Sequence, residues 1–253
     1  MRFPEDIQGL CQTLREGLKA TLGDKLYGIY VYGAAAFPES SFTGDIDFHV
    51  ILTEALTDEE REAISELHSA LARDFPPLGA ELDGYYILLA EARRTSPPVH
   101  QLRLDLTDEA WALHREHIRA GRCVIVYGPE PKQVYPPATW AELKSALWGE
   151  LEYVEAHPDE YPDYCILNLC RLMYSFETKE VVISKVTAAG WAQDVFPQWR
   201  EHIEVARRSY AGQVTLEERQ WMKSEARGFF GFACERIRES QAQEMVKDEV
   251  GRA

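Results

Sequence analysis

Residues 26–52 read LYGIYVYGAAAFPESSFTGDIDFHVIL, and their reading decides the fold of the first half of the chain. An apolar, β-branched and aromatic run, Leu26 to Tyr32, predicts a strand that ends at Gly33. A small-residue and polar turn follows, and Asp45-Ile46-Asp47 opens a second apolar run, Phe48 to Leu52. Side chains alternate along a strand, so Asp45 and Asp47 point the same way with Ile46 behind them. Solvated strand starts also carry such pairs by chance. Two carboxylates on one face repel unless a cation lies between them, and a hard divalent ion such as Mg2+ is the natural occupant, with coordination positions left over for phosphate oxygens. Gly33-Ala34, upstream of the acids, lets the backbone approach a ligand closely.

A strand, a Gly-small turn and a second strand beginning Asp-x-Asp form a pattern that resembles the polymerase-beta-like nucleotidyltransferases. That resemblance implies nucleotidyl transfer, with Mg2+ as cofactor and a nucleoside triphosphate as co-substrate. A third acid is expected on a neighbouring strand. Leu82-Asp83-Gly84-Tyr85-Tyr86-Ile87 supplies Asp83 at the start of an apolar strand, as third metal ligand or as the base for an attacking hydroxyl; Glu81 is the alternative. His49 follows Asp47 by two residues and reads as a core or supporting histidine.

Outward from this stretch, the pattern predicts a helix over 6–22 with Ile7, Leu10, Leu14, Leu18 and Leu22 at helical spacing. A second helix starts at Thr57-Asp58-Glu59-Glu60 and stops at Pro76-Pro77, a strand covers 85–89, a helix covers 107–120, and a short strand covers 123–127 before Gly128-Pro129. Beyond Pro136-Pro137 strand-like alternation gives way to helices over 139–156, 163–177, 184–190, 193–211 and 215–238, with a polar tail after Gln241. The expected fold is α+β: a small mixed-sheet nucleotidyltransferase domain over 1–138, then an all-helical domain over 139–253.

The chain has 253 residues, 45% of them hydrophobic, which suits a globular protein with a sizeable core. A net charge of −15 argues against nucleic acid as a partner and suits a cationic ligand. The cysteines, five in all, show no CxxC zinc spacing and are expected as reduced thiols in a cytoplasmic protein. No apolar leader and no run of 18 apolar residues is present, so no membrane span is expected. A monomer is expected.

The helical half carries a second resemblance. Asn168-Leu169-Cys170-Arg171, Tyr174-Ser175, Thr178-Lys179 and Ser184-Lys185, followed by a small-residue helix to Gly190-Trp191-Ala192, resemble the C-terminal domain of the aminoglycoside adenylyltransferases that modify streptomycin and spectinomycin. Arg115-Glu116-His117, running into a strand and Gly128-Pro129, is also similar. The resemblance implies transfer of AMP from ATP to a hydroxyl of a cationic small molecule, an antibiotic-resistance activity. It implies that Arg171 and Lys185 hold the triphosphate, with one residue more between them than the family pattern has. It also implies that Gly33 and Ala34 shape the phosphate turn and that acids before the Arg171 helix, Asp159, Glu160 and Asp163, contact the acceptor. Alternatives are another metabolite or a protein as acceptor, or a nucleotide-binding module without turnover.

The chain departs from that family at three further places. Ala34 stands where the first turn usually has a serine, and Gly44 where a second serine precedes the first acid; Ser40, Ser41 or Thr43 are candidate substitutes. The segment 90–106 is short for the loop that contacts the drug in that family. Trp111, Trp140, Trp148 and Trp191 read as packing residues.

Overall fold

The computed structural model describes residues 5–37 and 45–250. Ser40, Ser41, Thr43 and Gly44 lie outside them. The chain divides into two compact units, Met1–Thr139 and Trp140–Ala253.

The first unit is built on a four-stranded sheet in the order β3-β2-β1-β4. Its strands are β1 (Leu26–Val31), β2 (Ile46–Leu52), β3 (Leu82–Leu88) and β4 (Val124–Tyr127). β1 pairs antiparallel with β2 and with β4, while β2 and β3 run parallel. Alternation sorts the sheet into two faces. Ile29, Val31, Ile46, Phe48, Val50, Leu52 and Tyr86 lie on one, against α1 (Glu5–Leu22) and α2 (Asp58–Asp74). Ile7, Leu10, Leu14 and Leu18 of α1 are no more than 1% exposed, which makes the helical spacing of the sequence the buried stripe of the helix. Each such side chain contributes about 1.5–3 kcal/mol by leaving water. The start of α2 is a capping box in which Thr57 accepts from the Glu60 N–H and the Glu60 carboxylate accepts from the Thr57 N–H.

The other face carries Tyr30, Tyr32, Ile51 and Ile87, covered by Trp111 and Ile118 of α4 (Trp111–Arg119) and by Val134 and Tyr135. The single turn α3 (Leu89–Ala92) follows β3 directly. The helix expected from Thr107 begins four residues later, at Trp111. Through Thr107 the chain is still extended, with Thr107 bridged to Val99 and the Asp108 N–H donating to the Pro98 carbonyl, so those residues are spent on non-local pairing.

The second unit is helical: α5 (Trp140–Ala156), α6 (Pro162–Thr178), α7 (Lys185–Val195), α8 (Arg200–Tyr210) and α9 (Leu216–Val250). α6 is its centre, with Cys165 through Cys170 buried and α7, α8 and α9 packed around it. The helix predicted over 193–211 is interrupted at Phe196-Pro197: α7 ends at Val195, a short 3-10 turn spans Pro197–Trp199, and α8 starts at Arg200. Proline disfavours helical backbone at the residue before it, and Phe196 accordingly sits at φ −124°, ψ 66°. α9 runs on through the tail to Val250.

Trp111 is buried, Trp148 packs on Phe176, and Trp191 packs on Tyr174 and Phe196. The cysteines are free thiols. Among the described residues no helix is long and apolar enough to cross a membrane.

Candidate active site

The turn after β1 fixes the first acid. The Tyr32 N–H donates to the Asp47 carbonyl at 2.9 Å, and Gly33 then turns the chain at φ +66° into a short 3-10 turn, Gly33–Ala36. A Cβ on Gly33 would lie 1.8 Å from Asp47 Oδ2. The carboxylate therefore rests on bare glycine backbone, in the space any larger residue would fill. Ala34 is half-buried in the same turn and brings no hydroxyl to it.

The parallel pairing of β2 and β3 fixes the second acid. Asp47 and Asp83 are direct register partners, so both carboxylates project from one face of neighbouring strands. Partners in adjacent strands are about 4.8 Å apart along the hydrogen-bonding direction. Gly84 permits this: a Cβ there would lie 2.3 Å from the Phe48 ring, which lies across it on the opposite face. Asp47 is half-buried and Asp83 exposed, and Asp45, exposed one residue before β2, stands two residues from Asp47. Glu81 ends the 3-10 turn before β3 and is exposed. Two neighbouring carboxylates open to solvent suit a hard divalent cation, which Asp45, Asp47 and Asp83 could hold.

Behind the acids, on the same face, lies a polar network that sequence reasoning located only through His49. Asp108 is 1% exposed; its Oδ2 accepts from His114 Nδ1 at 3.0 Å and stands 3.7 Å from His49 Nε2. The Tyr32 hydroxyl reaches His114 Nδ1 at 3.2 Å, and His49 Nδ1 meets the Tyr135 hydroxyl at 3.3 Å. Burial pushes His49 down to about 3, against the pull of Asp108 and with some help from His114, so this imidazole is neutral. Burial acts to raise the Asp108 carboxyl, but His114, its hydrogen bond and His49 outweigh it and hold the group below the usual carboxylate range. Burial raises the Tyr32 phenol well above its ordinary value, and Asp108, Asp47 and Asp83 add to this. Asp108 and His114 were hidden in sequence because Thr107-Asp108-Glu109 has the form of a helix start.

In the second unit, Arg171 Nη2 lies 3.4 Å from Glu150 Oε2, and Asn168 Nδ2 donates to the same oxygen at 3.0 Å. Lys185 follows the N-cap Ser184 of α7, with its Nζ 3.9 Å above the Tyr164 ring and 5.1 Å from that of Tyr210. Burial raises the Tyr164 phenol, Glu150 adds to this, and the charge of Arg171 opposes it. Glu150, on α5, carries no signal in sequence. The three acids suggested for acceptor contact are differently engaged. Asp163 accepts from Ser209 Oγ at 2.7 Å and from the Tyr164 N–H at 2.9 Å, and Asp159 pairs with Arg227 at 2.7 Å; Glu160 is exposed.

The comparisons with known proteins agree with this architecture. Residues 133–236 match the family model of the aminoglycoside adenylyltransferase C-terminal domain. A spectinomycin 9-adenylyltransferase of Enterococcus faecalis is 21% identical over 234 residues, covering 83% of this chain and 88% of the relative. A crystal structure of a spectinomycin adenylyltransferase from the same organism, with ATP and spectinomycin, superposes with a TM-score of 0.72 at 18% identity. That match covers 91% of this chain and 99% of the solved one. The chain thus shares the fold of that solved structure, a small mixed sheet followed by a helical region. The helical part of the chain, residues 133–236, is similar to the C-terminal domain of the aminoglycoside adenylyltransferases.

Proposed function

We propose that the protein transfers AMP from ATP to a hydroxyl of an aminoglycoside-like, cationic small molecule, with Mg2+ as cofactor, in the cytoplasm where ATP is supplied. The observation that carries this is the Asp47–Asp83 register pair, with the Asp47 carboxylate seated on Gly33. The matching relative and the solved structure, a spectinomycin adenylyltransferase with ATP and spectinomycin, support the reaction and the acceptor class.

Asp45, Asp47 and Asp83 would hold Mg2+, and the acid pair fits it by charge, by exposure and by the space Gly33 leaves. When bound, the ion supplies positive charge against the triphosphate. Gly33 and Ala34 shape the turn beside the phosphates. Asp83, the more exposed of the register pair, takes the proton of the acceptor hydroxyl as its oxygen attacks the α-phosphorus; the bond to the β-phosphate breaks and pyrophosphate leaves. Arg171 and Lys185 meet the triphosphate charge; both are half-buried, Arg171 held by Glu150 and Lys185 held over Tyr164, so little side-chain freedom is lost on binding. Glu160, with Asp159 and Asp163, adds negative charge that favours a cationic acceptor. The unit 1–138 is assigned catalysis, and the helical unit 139–253 is assigned triphosphate binding through Arg171 and Lys185.

The test is pyrophosphate release with ATP and Mg2+ on addition of spectinomycin, streptomycin or kanamycin. Acceptor-dependent release is expected with at least one of them. Binding of ATP with no release across the panel would overturn this function in favour of a binding module.

A further inference from the structure

Three donor atoms that nucleotidyl transfer does not use converge on one point beside the acid pair. His49 Nε2, Asp108 Oδ2 and His114 Nδ1 all lie within 4.8 Å of one another. His49 comes from β2, whereas Asp108 and His114 flank and form the start of α4, so the sheet and its cover bring them together. We propose that these residues form a binding site for a single transition-metal ion of the Zn2+ class, distinct in donor chemistry from the Asp45/Asp47/Asp83 set.

The orphaned atom is the first argument. His49 is fully buried, and its Nε2 has no hydrogen-bond partner. Its Nδ1 is turned to the Tyr135 hydroxyl at 3.3 Å, so Nε2 is the atom aimed at Asp108, 3.7 Å away and out of hydrogen-bond reach. A buried polar atom in that position lacks a partner, at a cost of about 1–3 kcal/mol, and a cation between it and the carboxylate satisfies both. The hydroxyl on the far ring nitrogen is the outer partner that a metal-bound imidazole needs to hold its orientation.

Spacing and donor type are the second. Metal–nitrogen and metal–oxygen bonds of about 2.0–2.2 Å in a tetrahedral site put ligand atoms roughly 3.3–3.5 Å apart. The Asp108 separations, 3.0 Å to His114 and 3.7 Å to His49, bracket that value. Two imidazoles and one carboxylate suit Zn2+ and its neighbours, whereas Mg2+ prefers oxygen alone. The His114 side chain is 30% exposed and gives an ion a way in, with a coordination position left for water. Binding at His114 Nδ1 takes the place of the proton that nitrogen now shares with Asp108.

Co2+ is the probe. The full-length protein, stripped with chelator, is titrated with Co2+ in the visible range, where low-symmetry nitrogen–oxygen sites absorb strongly and six-oxygen sites barely do. One equivalent is expected to give the strong band, and one equivalent of Zn2+ to abolish it. The band should vanish in folded His114→Gln and Asp108→Asn proteins, His114→Gln being the milder because that side chain is partly exposed. Tyr135→Phe should weaken binding roughly 10–100-fold, as loss of an outer partner does. Asp47→Asn should leave the band unchanged. Absence of any band, a band that survives His114→Gln, or one lost with Asp47→Asn would overturn the proposal. None of these readouts depends on ATP or an acceptor.

Discussion

Replacing Gly33 with alanine tests the seat of Asp47. Two costs are separable. The first is backbone: Gly33 has φ +66°, and an L side chain in the left-handed region costs about 1–2 kcal/mol. The second is steric: the new Cβ would lie 1.8 Å from Asp47 Oδ2, where a Cβ contact under 3.0 Å is essentially never found. The carboxylate must therefore retreat by roughly 1 Å or more, and a displacement of that size at a reacting centre costs about a hundredfold in rate. Gly23→Ala and Gly121→Ala isolate the first cost, because those glycines have φ +53° and +81° with nothing within 4 Å of the added Cβ. All three variants should lose a few degrees in Tm, since about 1 kcal/mol corresponds to roughly 2–4 °C in a chain of this size. Only Gly33→Ala should lose about a hundredfold in kcat/KM for acceptor-dependent pyrophosphate release. A folded Gly33→Ala protein within threefold of Gly23→Ala in that assay would refute the idea that the position of Asp47 matters.

Two further outcomes follow from the geometry. Arg171→Ala should raise the ATP KM about 10–100-fold, the equivalent of one charged hydrogen bond of roughly 1.5–3 kcal/mol, while stability changes by about 1 kcal/mol or less because the pair with Glu150 is partly exposed; unchanged KM by steady-state kinetics would remove Arg171 from the phosphate site. Burial lowers His49 to about 3 and His100 to about 4, in the latter case with Arg103 adding to it, so the unfolded chain takes up protons near pH 6.5 that the folded chain refuses. Stability should be level in these groups above that pH and fall as pH drops toward 4, by about 1.4 kcal/mol per pH unit per proton, and His49→Gln should make the fall shallower when denaturation midpoints are compared from pH 7 to 4.5.

The parts of this molecule that are written locally were legible in sequence. The α1 stripe, the Thr57–Glu60 capping box and the alternation that puts Asp47 on the face opposite Ile46 and Phe48 all follow from spacing within one element. What sequence could not supply is pairing. That β2 and β3 run parallel, with Asp47 opposite Asp83, depends on residues that share no local pattern. The same holds for Asp108: its neighbours in sequence have the composition of a helix cap, but the segment is held extended by Val99 and Pro98, which turns the carboxylate inward to His114. Pro197 was a visible stop signal, and the helical pattern on both sides of it masked the break between α7 and α8. Glu150 is one acid among several on α5 until α6 brings Arg171 and Asn168 to it.

The most direct measurement is calorimetric titration of ATP into the wild-type protein and into Asp47→Asn, each with Mg2+ and with EDTA. Mg2+ should tighten ATP binding at least about tenfold in the wild type, which corresponds to roughly 1.4 kcal/mol, and should have no such effect in Asp47→Asn. Equal ATP affinity with and without Mg2+ in the wild type, or an undiminished Mg2+ effect in Asp47→Asn, would contradict a metal held by these strand acids.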